Sequence, residues 1–272
     1  MTPLPFVKLE TIGNHFVLLQ AAHLDRPASN YALPLCASRF GIGAEGLLIF
    51  HPHPQGFSLE FFNPDGTVDF CGNGLRAAAA WAVSEGRAAP HGVIRQRGLS
   101  IPYRVKDGVA TVTMPTGSFD PAAVPLAAPE PLIDRPVVGV TGTAISTGST
   151  HFVVFVPALP DDPEFLAVSP RIEHDPVFPE RTSVMWANIK SPAELRLRIW
   201  ERGVGETLGC GTGSLAVAKV YVEREARAGR PVPGQVTVHN PGGTLLVSFS
   251  ADRLTADMSS RPRIVFRGDW AE

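Results

Sequence analysis

One short phrase occurs twice in this chain, and it dictates backbone. Phe70-Cys71-Gly72-Asn73-Gly74-Leu75-Arg76 runs into an Ala-rich apolar stretch, and Gly209-Cys210-Gly211-Thr212-Gly213-Ser214-Leu215 does the same about half a chain later. Glycines two apart let a chain turn tightly and bring its backbone close to a ligand. The segment after each turn is apolar nearly all round, the mark of a buried helix. Two such helices, each led by the same turn, imply two similar halves.

A length of 272 residues allows one large or two medium domains. The remaining segments read as short strands: 6–10, 16–19, 46–50 and 58–62, then about 93–105 and 109–114. In the second half they fall near 137–146, 152–156, 184–189, 194–200, 235–239, 243–249 and 262–267. Asn63-Pro64-Asp65-Gly66 is a turn in which Pro sets φ and Asp-Gly accepts the corner. Helices are expected over 75–83, stopped by Gly86, and from Ser214 to about Arg227. The loop-rich stretch Pro115 to Pro136 is the expected domain crossing. The pattern is a duplicated α+β architecture.

A net charge of -2 creates no field favouring nucleic acid or an anionic membrane, and no basic run is present. No apolar run is long enough to cross a bilayer, and the segment from Met1 to Glu10 has no signal-like apolar core. A cytoplasmic location is expected. The three cysteines, Cys36, Cys71 and Cys210, are too few for a disulfide framework. No CxxC or HxxxH spacing suggests zinc, and no Lys motif calls for pyridoxal, so no metal or cofactor is expected.

A helix N-terminus carries unpaired N–H groups and a positive partial charge. It holds a carboxylate without Arg or Lys and stabilises a thiolate placed there. Two such turns suggest two thiols facing one substrate. The alternatives are two small buried cysteines or a structural disulfide. His151 alone could be a satisfied half-buried histidine, and Glu201-Arg202 a plain surface pair.

The chain resembles the diaminopimelate epimerase family, cofactor-independent epimerases of lysine and peptidoglycan biosynthesis. The likeness rests on 12–16 (Ile-Gly-Asn-His-Phe), 39–47, Asn63-Pro64-Asp65-Gly66, Cys71-Gly72-Asn73-Gly74-Leu75-Arg76, the run from Glu201 to Gly213, and Asn240-Pro241-Gly242-Gly243. It implies two pseudo-symmetric domains, each a curled, mostly antiparallel sheet around a central helix. Their limits are 1–117 plus 264–272, and 118–263, with the active site between them. It implies that Cys71 and Cys210 form an acid/base pair on opposite faces of an α-carbon, one taking the proton and the other returning one. His151 and Glu201 match positions beside that pair. Gly72, Asn73, Gly211 and Thr212 match donors to the substrate carboxylate, which they would stabilise as an oxyanion hole does. Asn14, Asn63 and Arg202 match further substrate contacts. A homodimer is also implied.

Three positions depart from the family pattern. Ser149 stands where the family has a substrate-binding Asn, Ser183 where it has a second, and His15 where it has Asp. Each touches recognition, while the cysteine pair is intact. A racemase of another amino acid, with a histidine-like side chain, is therefore the alternative within the same chemistry. A non-catalytic amino-acid-binding protein is the alternative outside it. Single-carboxylate isomerases related to phenazine biosynthesis share the fold but normally lack the cysteine pair. Cys36, in an apolar helical context, reads as a core thiol.

Overall fold

The computed structural model describes residues 3–271. Positions 1, 2 and 272, which the expected domain limits include, lie outside them. The chain divides into two compact units: the residues through Thr113 together with those from Ser259 on, and Met114–Met258. The changes of unit thus fall at 113/114 and 258/259, against 117/118 and 263/264 read from the sequence.

The first unit contains β1 (Leu4–Thr11), β2 (Asn14–Gln20), α1 (Ser29–Cys36), β3 (Gly46–His53), β4 (Gly56–Phe62), α2 (Gly72–Ser84), β5 (His91–Gln96), β6 (Leu99–Lys106) and β7 (Val109–Pro115, which runs across the boundary). The pairings β1–β2, β3–β4, β5–β6 and β6–β7 are antiparallel, whereas β2–β3 and β4–β5 are parallel. Antiparallel neighbours need only a turn, but parallel neighbours need a crossover. Each crossover here is a helix, α1 for the first and α2 for the second. Strands β1, β2, β3, β4 and β6 all touch α2, so the sheet curls around it. Three consecutive alanines, Ala77, Ala78 and Ala79, are fully buried on that helix and let strands approach it closely. Phe50 and Trp81 meet edge to face, with centroids 5.1 Å apart.

The second unit repeats the plan with β8 (Arg135–Val137), β9 (Val140–Ser146), β10 (Thr150–Phe155), α3 (Asp162–Glu173), β11 (Ser183–Ser191), β12 (Glu194–Glu201), β13 (Gly205–Thr207), α4 (Gly211–Arg227), β14 (Gln235–Asn240) and β15 (Gly243–Phe249). β9–β10, β11–β12 and β14–β15 are antiparallel; β10–β11 and β12–β14 are parallel, with α3 and α4 as the crossovers. These five pairings repeat the order of the first five in the first unit. α4 touches β9, β10, β11, β14 and β15. β16 (Thr255–Ser260) comes next, and β17 (Arg263–Trp270) pairs antiparallel with β1 in the first unit.

Two expectations change. Among the described residues each half holds two α-helices, not one central helix alone; the helical context expected at Cys36 is the end of α1, and α3 is not expected from the sequence. α1 and α3 contain Pro34 and Pro170 inside helical turns, and an internal proline breaks the pattern by which a helix is read. The two central helices also begin three residues before the apolar run, at Gly72 and Gly211. Gly86 ends its helix as expected: φ is +64° and its amide meets Val83 O at 3.1 Å.

Candidate active site

Both reactive-looking cysteines are N-caps. Cys71 has φ/ψ of -138°/101° and its Sγ accepts from Gly74 N at 3.3 Å. Cys210 has -126°/114° and its Sγ accepts from Gly213 N at 3.3 Å. The sulfur takes the place that a Ser or Asp oxygen usually fills at a helix start. Leu75 N and Ser214 N then close the first backbone bonds, on Cys71 O and Cys210 O. The amides of Gly72 and Asn73, and of Gly211 and Thr212, precede those bonds and have no carbonyl within their helix to meet. Each turn therefore presents a sulfur and a pair of N–H donors at the positive end of a helix.

Cys71 is half-buried, and the helix that it caps starts a chain of side-chain hydrogen bonds. Asn73 Nδ2 donates to Asn14 Oδ1, and Arg76 Nη2 donates to Asn73 Oδ1. Asn63 sits in its turn, its Nδ2 3.1 Å from Thr67 Oγ1 and its carbonyl 2.9 Å from Gly66 N. His15 Nδ1 lies 2.7 Å from Nζ of the buried Lys8, which also donates to Gly43 O. Burial, and after it the Lys8 charge, lowers His15.

Cys210 is buried, 6% exposed, and sits among acidic and hydroxyl groups. The Glu201 carboxylate is close enough to act on its thiol, and Thr212 Oγ1 is 3.5 Å from Sγ. Burial raises the Cys210 thiol well above its ordinary range, and the nearby Glu201 charge adds to that. Burial also raises Glu201, partly offset by the hydroxyl of Thr207 at 2.6 Å. His151 is completely buried, with Nε2 3.0 Å from Ser149 Oγ and no hydrogen-bond partner for Nδ1 among the described residues. Burial, then the Arg202 charge, pushes it down to about 3, so the ring is neutral.

Within the second unit Ser149 and His151 thus come together, as do Glu201, Cys210 and Thr212. Ser183 Oγ accepts from Arg202 N at 3.0 Å, and Arg202 Nη1 donates to Glu180 O at 3.1 Å. Both serines at the departing positions serve groups of the protein itself.

Several supports have no motif in the sequence. Asn240 Oδ1 accepts from Cys210 N at 3.4 Å and from Ser214 Oγ at 2.9 Å, fixing the second turn. Glu173, 3% exposed at the end of α3, accepts from Gly203 N at 2.8 Å and Trp200 Nε1 at 2.6 Å. It thereby holds the Glu201-Arg202-Gly203 turn from a distant part of the chain. Only a buried acid in an otherwise amphipathic helix could have drawn notice to it. Cys36 is a buried thiol raised to about 11 by its burial, partly offset by Lys8.

All three cysteines are free. Among the described residues no three of His, Cys, Asp and Glu are grouped as metal ligands, and no helix is long and apolar enough to cross a membrane. Two surface cavities are lined by other residues. One of about 390 Å³ borders His51, Glu60, Arg95 and Arg97; the other, about 290 Å³, borders Arg196, Arg198 and His239 and reaches Asn240.

A family model described as diaminopimelate epimerase matches residues 143–264, the stretch holding Ser149, His151, Ser183, Glu201, Arg202, Cys210, Gly211 and Thr212. A diaminopimelate epimerase from a Synechococcus strain is 36% identical, covering 99% of this chain and 99% of that protein. One from Moorella thermoacetica is 36% identical over 97% of this chain and 98% of its own length. The fold is that of a phenazine biosynthesis family protein from Enterococcus faecalis, with a TM-score of 0.69 at 11% identity and full coverage of both chains. Identity of this size over the full chain decides the family: this is an isomerase, an epimerase, and it belongs to the diaminopimelate epimerase family.

Proposed function

We propose that this chain converts LL-diaminopimelate to meso-diaminopimelate without a cofactor, with Cys71 and Cys210 acting on opposite faces of one α-carbon. The observation that carries it is the shared cap: each Sγ lies 3.3 Å from the amide three residues on. The two thiols are presented alike, each beside a pair of helix-end donors.

An α-proton beside a carboxylate is hard to remove because the product is close to a dianion. The amides of Gly72, Asn73, Gly211 and Thr212 meet the charge that develops on the carboxylate oxygens. Burial and Glu201 keep Cys210 protonated in the free protein, which supports its role as the resting acid. In that direction the Cys71 thiolate takes the α-proton, the C–H electron pair passes to the carboxylate, and the Cys210 S–H delivers its proton to the opposite face. Glu201 then faces a thiolate, and the roles reverse for the back reaction. The neutral His151 presents its unpaired Nδ1 as an acceptor or donor, not as a charge. Arg202 binds a distal carboxylate with its fork. Asn63 and Asn14 complete the contacts. The same proposal carries a place in lysine and peptidoglycan biosynthesis, a cytoplasmic location and a homodimer.

One observation favours a second reading, a racemase of another amino acid. Ser149 and Ser183 stand at family Asn positions, and both hydroxyls are engaged by His151 and by Arg202 N. A shorter side chain already bonded within the protein does not reproduce an amide's reach to substrate.

The deciding measurement uses purified protein in deuterated buffer with LL-diaminopimelate and a panel of amino acids that includes histidine. The expected result is α-deuterium in diaminopimelate together with the meso isomer. Deuterium in another amino acid and none in diaminopimelate would overturn the first reading in favour of the second.

A further inference from the structure

Arg76 lies early in α2 and has no solvent exposure. Its Nη2 donates to Asn73 Oδ1, and its Nε donates to Ser260 Oγ at 2.8 Å. Ser260 Oγ is 2.9 Å from Thr11 Oγ1 on β1. Asn73 is 3% exposed, and its Nδ2 donates to Asn14 Oδ1 at the start of β2. All of these residues belong to the first unit.

A guanidinium has five N–H donors and no acceptor. The atom of Asn73 that faces it has to be the carbonyl oxygen. That choice turns the NH₂ of Asn73 toward Asn14. An NH₂ group only donates, so Asn14 has to meet it with Oδ1. The consequence appears at the far end of the relay. Asn14 is half-buried, and its Nδ2 is directed away from Asn73 with no hydrogen bond to the described residues. Three side chains thus carry the polarity of a buried cation to a half-buried position. An isolated pair of amides could lie either way round; Arg76 removes that freedom. The side chain of Asn73 is consumed inside the relay, leaving its backbone N–H as the group it offers to a ligand.

We propose that Arg76 is a positioning residue that sets this polarity, so that Asn14 presents N–H to a carboxylate oxygen of the substrate and not C=O to its ammonium group. The substrate half of the proposal rests on the epimerase reading above; the relay does not.

The test compares Arg76→Met, which keeps most of the length and loses the donors, with Arg76→Lys, which remains donor-only. Loss of the relay is expected to raise KM for LL-diaminopimelate about tenfold or more in Arg76→Met, with kcat within about threefold of wild type. Arg76→Lys should recover most of that KM. Equal KM increases in the two variants would mean packing, not polarity, and would overturn the proposal; so would an unchanged KM in Arg76→Met. Should Arg76→Met not fold, Asn14→Asp serves instead. Its carboxylate still accepts from Asn73 but turns an acceptor toward the ligand, so KM must rise at least as far; wild-type KM overturns the proposal. A second readout needs no substrate. In the free ¹⁵N-labelled full chain, the Asn73 side-chain NH₂ should exchange with solvent slowly, and about tenfold faster in Arg76→Met or, if that does not fold, in Arg76→Gln, which is no longer donor-only. Unchanged exchange overturns the relay. A wild-type protein that epimerises no diaminopimelate breaks the functional reading alone, and the amide signal still decides the relay.

Discussion

Cys71 and Cys210 cap their helices with the same backbone, and each sulfur sits 3.3 Å from the amide three residues on. Their surroundings are unlike. The first is half-buried, and the polar groups around its helix end are amides fixed by Arg76. The second is buried, lies beside the Glu201 charge, and is clamped through Asn240. A duplicated turn has kept its geometry and lost its symmetry of environment. Placement of a thiol is a local property of the cap, while its proton affinity depends on what the rest of the unit brings near it. The proposed two-base mechanism uses that combination: two thiols presented alike, in surroundings that differ.

The widest break in the comparison comes from removing either sulfur. On the proposed mechanism Cys71→Ala and Cys210→Ala should each lower the epimerisation rate by about 10²- to 10⁴-fold, since each would delete one of two proton-transfer groups. Chiral analysis of the product over time reads this directly. A variant that inverts substrate at the wild-type rate would show that its sulfur has no part in the chemistry.

Next in size is the acid response of the second unit. His151 is lowered to about 3 by burial, from an ordinary 6.5. Its unfolded form binds a proton more readily than its folded form, so its contribution to stability is complete above pH 6.5 and is lost as pH falls from there toward 3. This one group should make the protein roughly 2 to 3 kcal/mol less stable at about pH 4.5 than at about pH 7.5. Urea melts of wild type and His151→Gln at both pH values isolate the term; equal pH dependence in the two proteins would contradict it. In the first unit His15, lowered in the same direction, is half-buried and bonded to Lys8.

The smallest effect concerns how tightly each turn is packed. A Cβ on Gly213 would lie 2.5 Å from Met185 Sδ and 3.2 Å from Cys210 Sγ, whereas one on Gly72 meets nothing within 4 Å. Gly213→Ala should cost about 1 kcal/mol, since the Met185 side chain can give way, and Gly72→Ala should stay within about 0.5 kcal/mol. Thermal midpoints of the two variants test the contrast, and equal losses would remove it.

Much of the plan is legible in the sequence. The repeated turn announces two halves, the apolar runs announce their central helices, and the resemblance implies the curled sheets around them. Local chemistry explains why: Cys-Gly-x-Gly and an Ala-rich run constrain a handful of neighbouring residues, wherever the chain goes next. The crossover helices α1 and α3 are harder to see because Pro34 and Pro170 interrupt their patterns. The starts of α2 and α4 read three residues late because apolar periodicity does not register a capping glycine.

The site divides the same way. The sequence by itself determined where two thiols and their flanking amides stand, since caps are built from residues within three or four positions of each other. Only the tertiary structure decided what those thiols face. Glu173 reaches Gly203 from 30 residues away, Asn240 reaches Cys210 across another 30, and Ser260 reaches Arg76 across 184. Such pairings have no period and no motif, because they arise where separate strands and helices happen to pack. Burial, which raises Cys210 and neutralises His151, is likewise a property of the whole unit and not of any short run of residues.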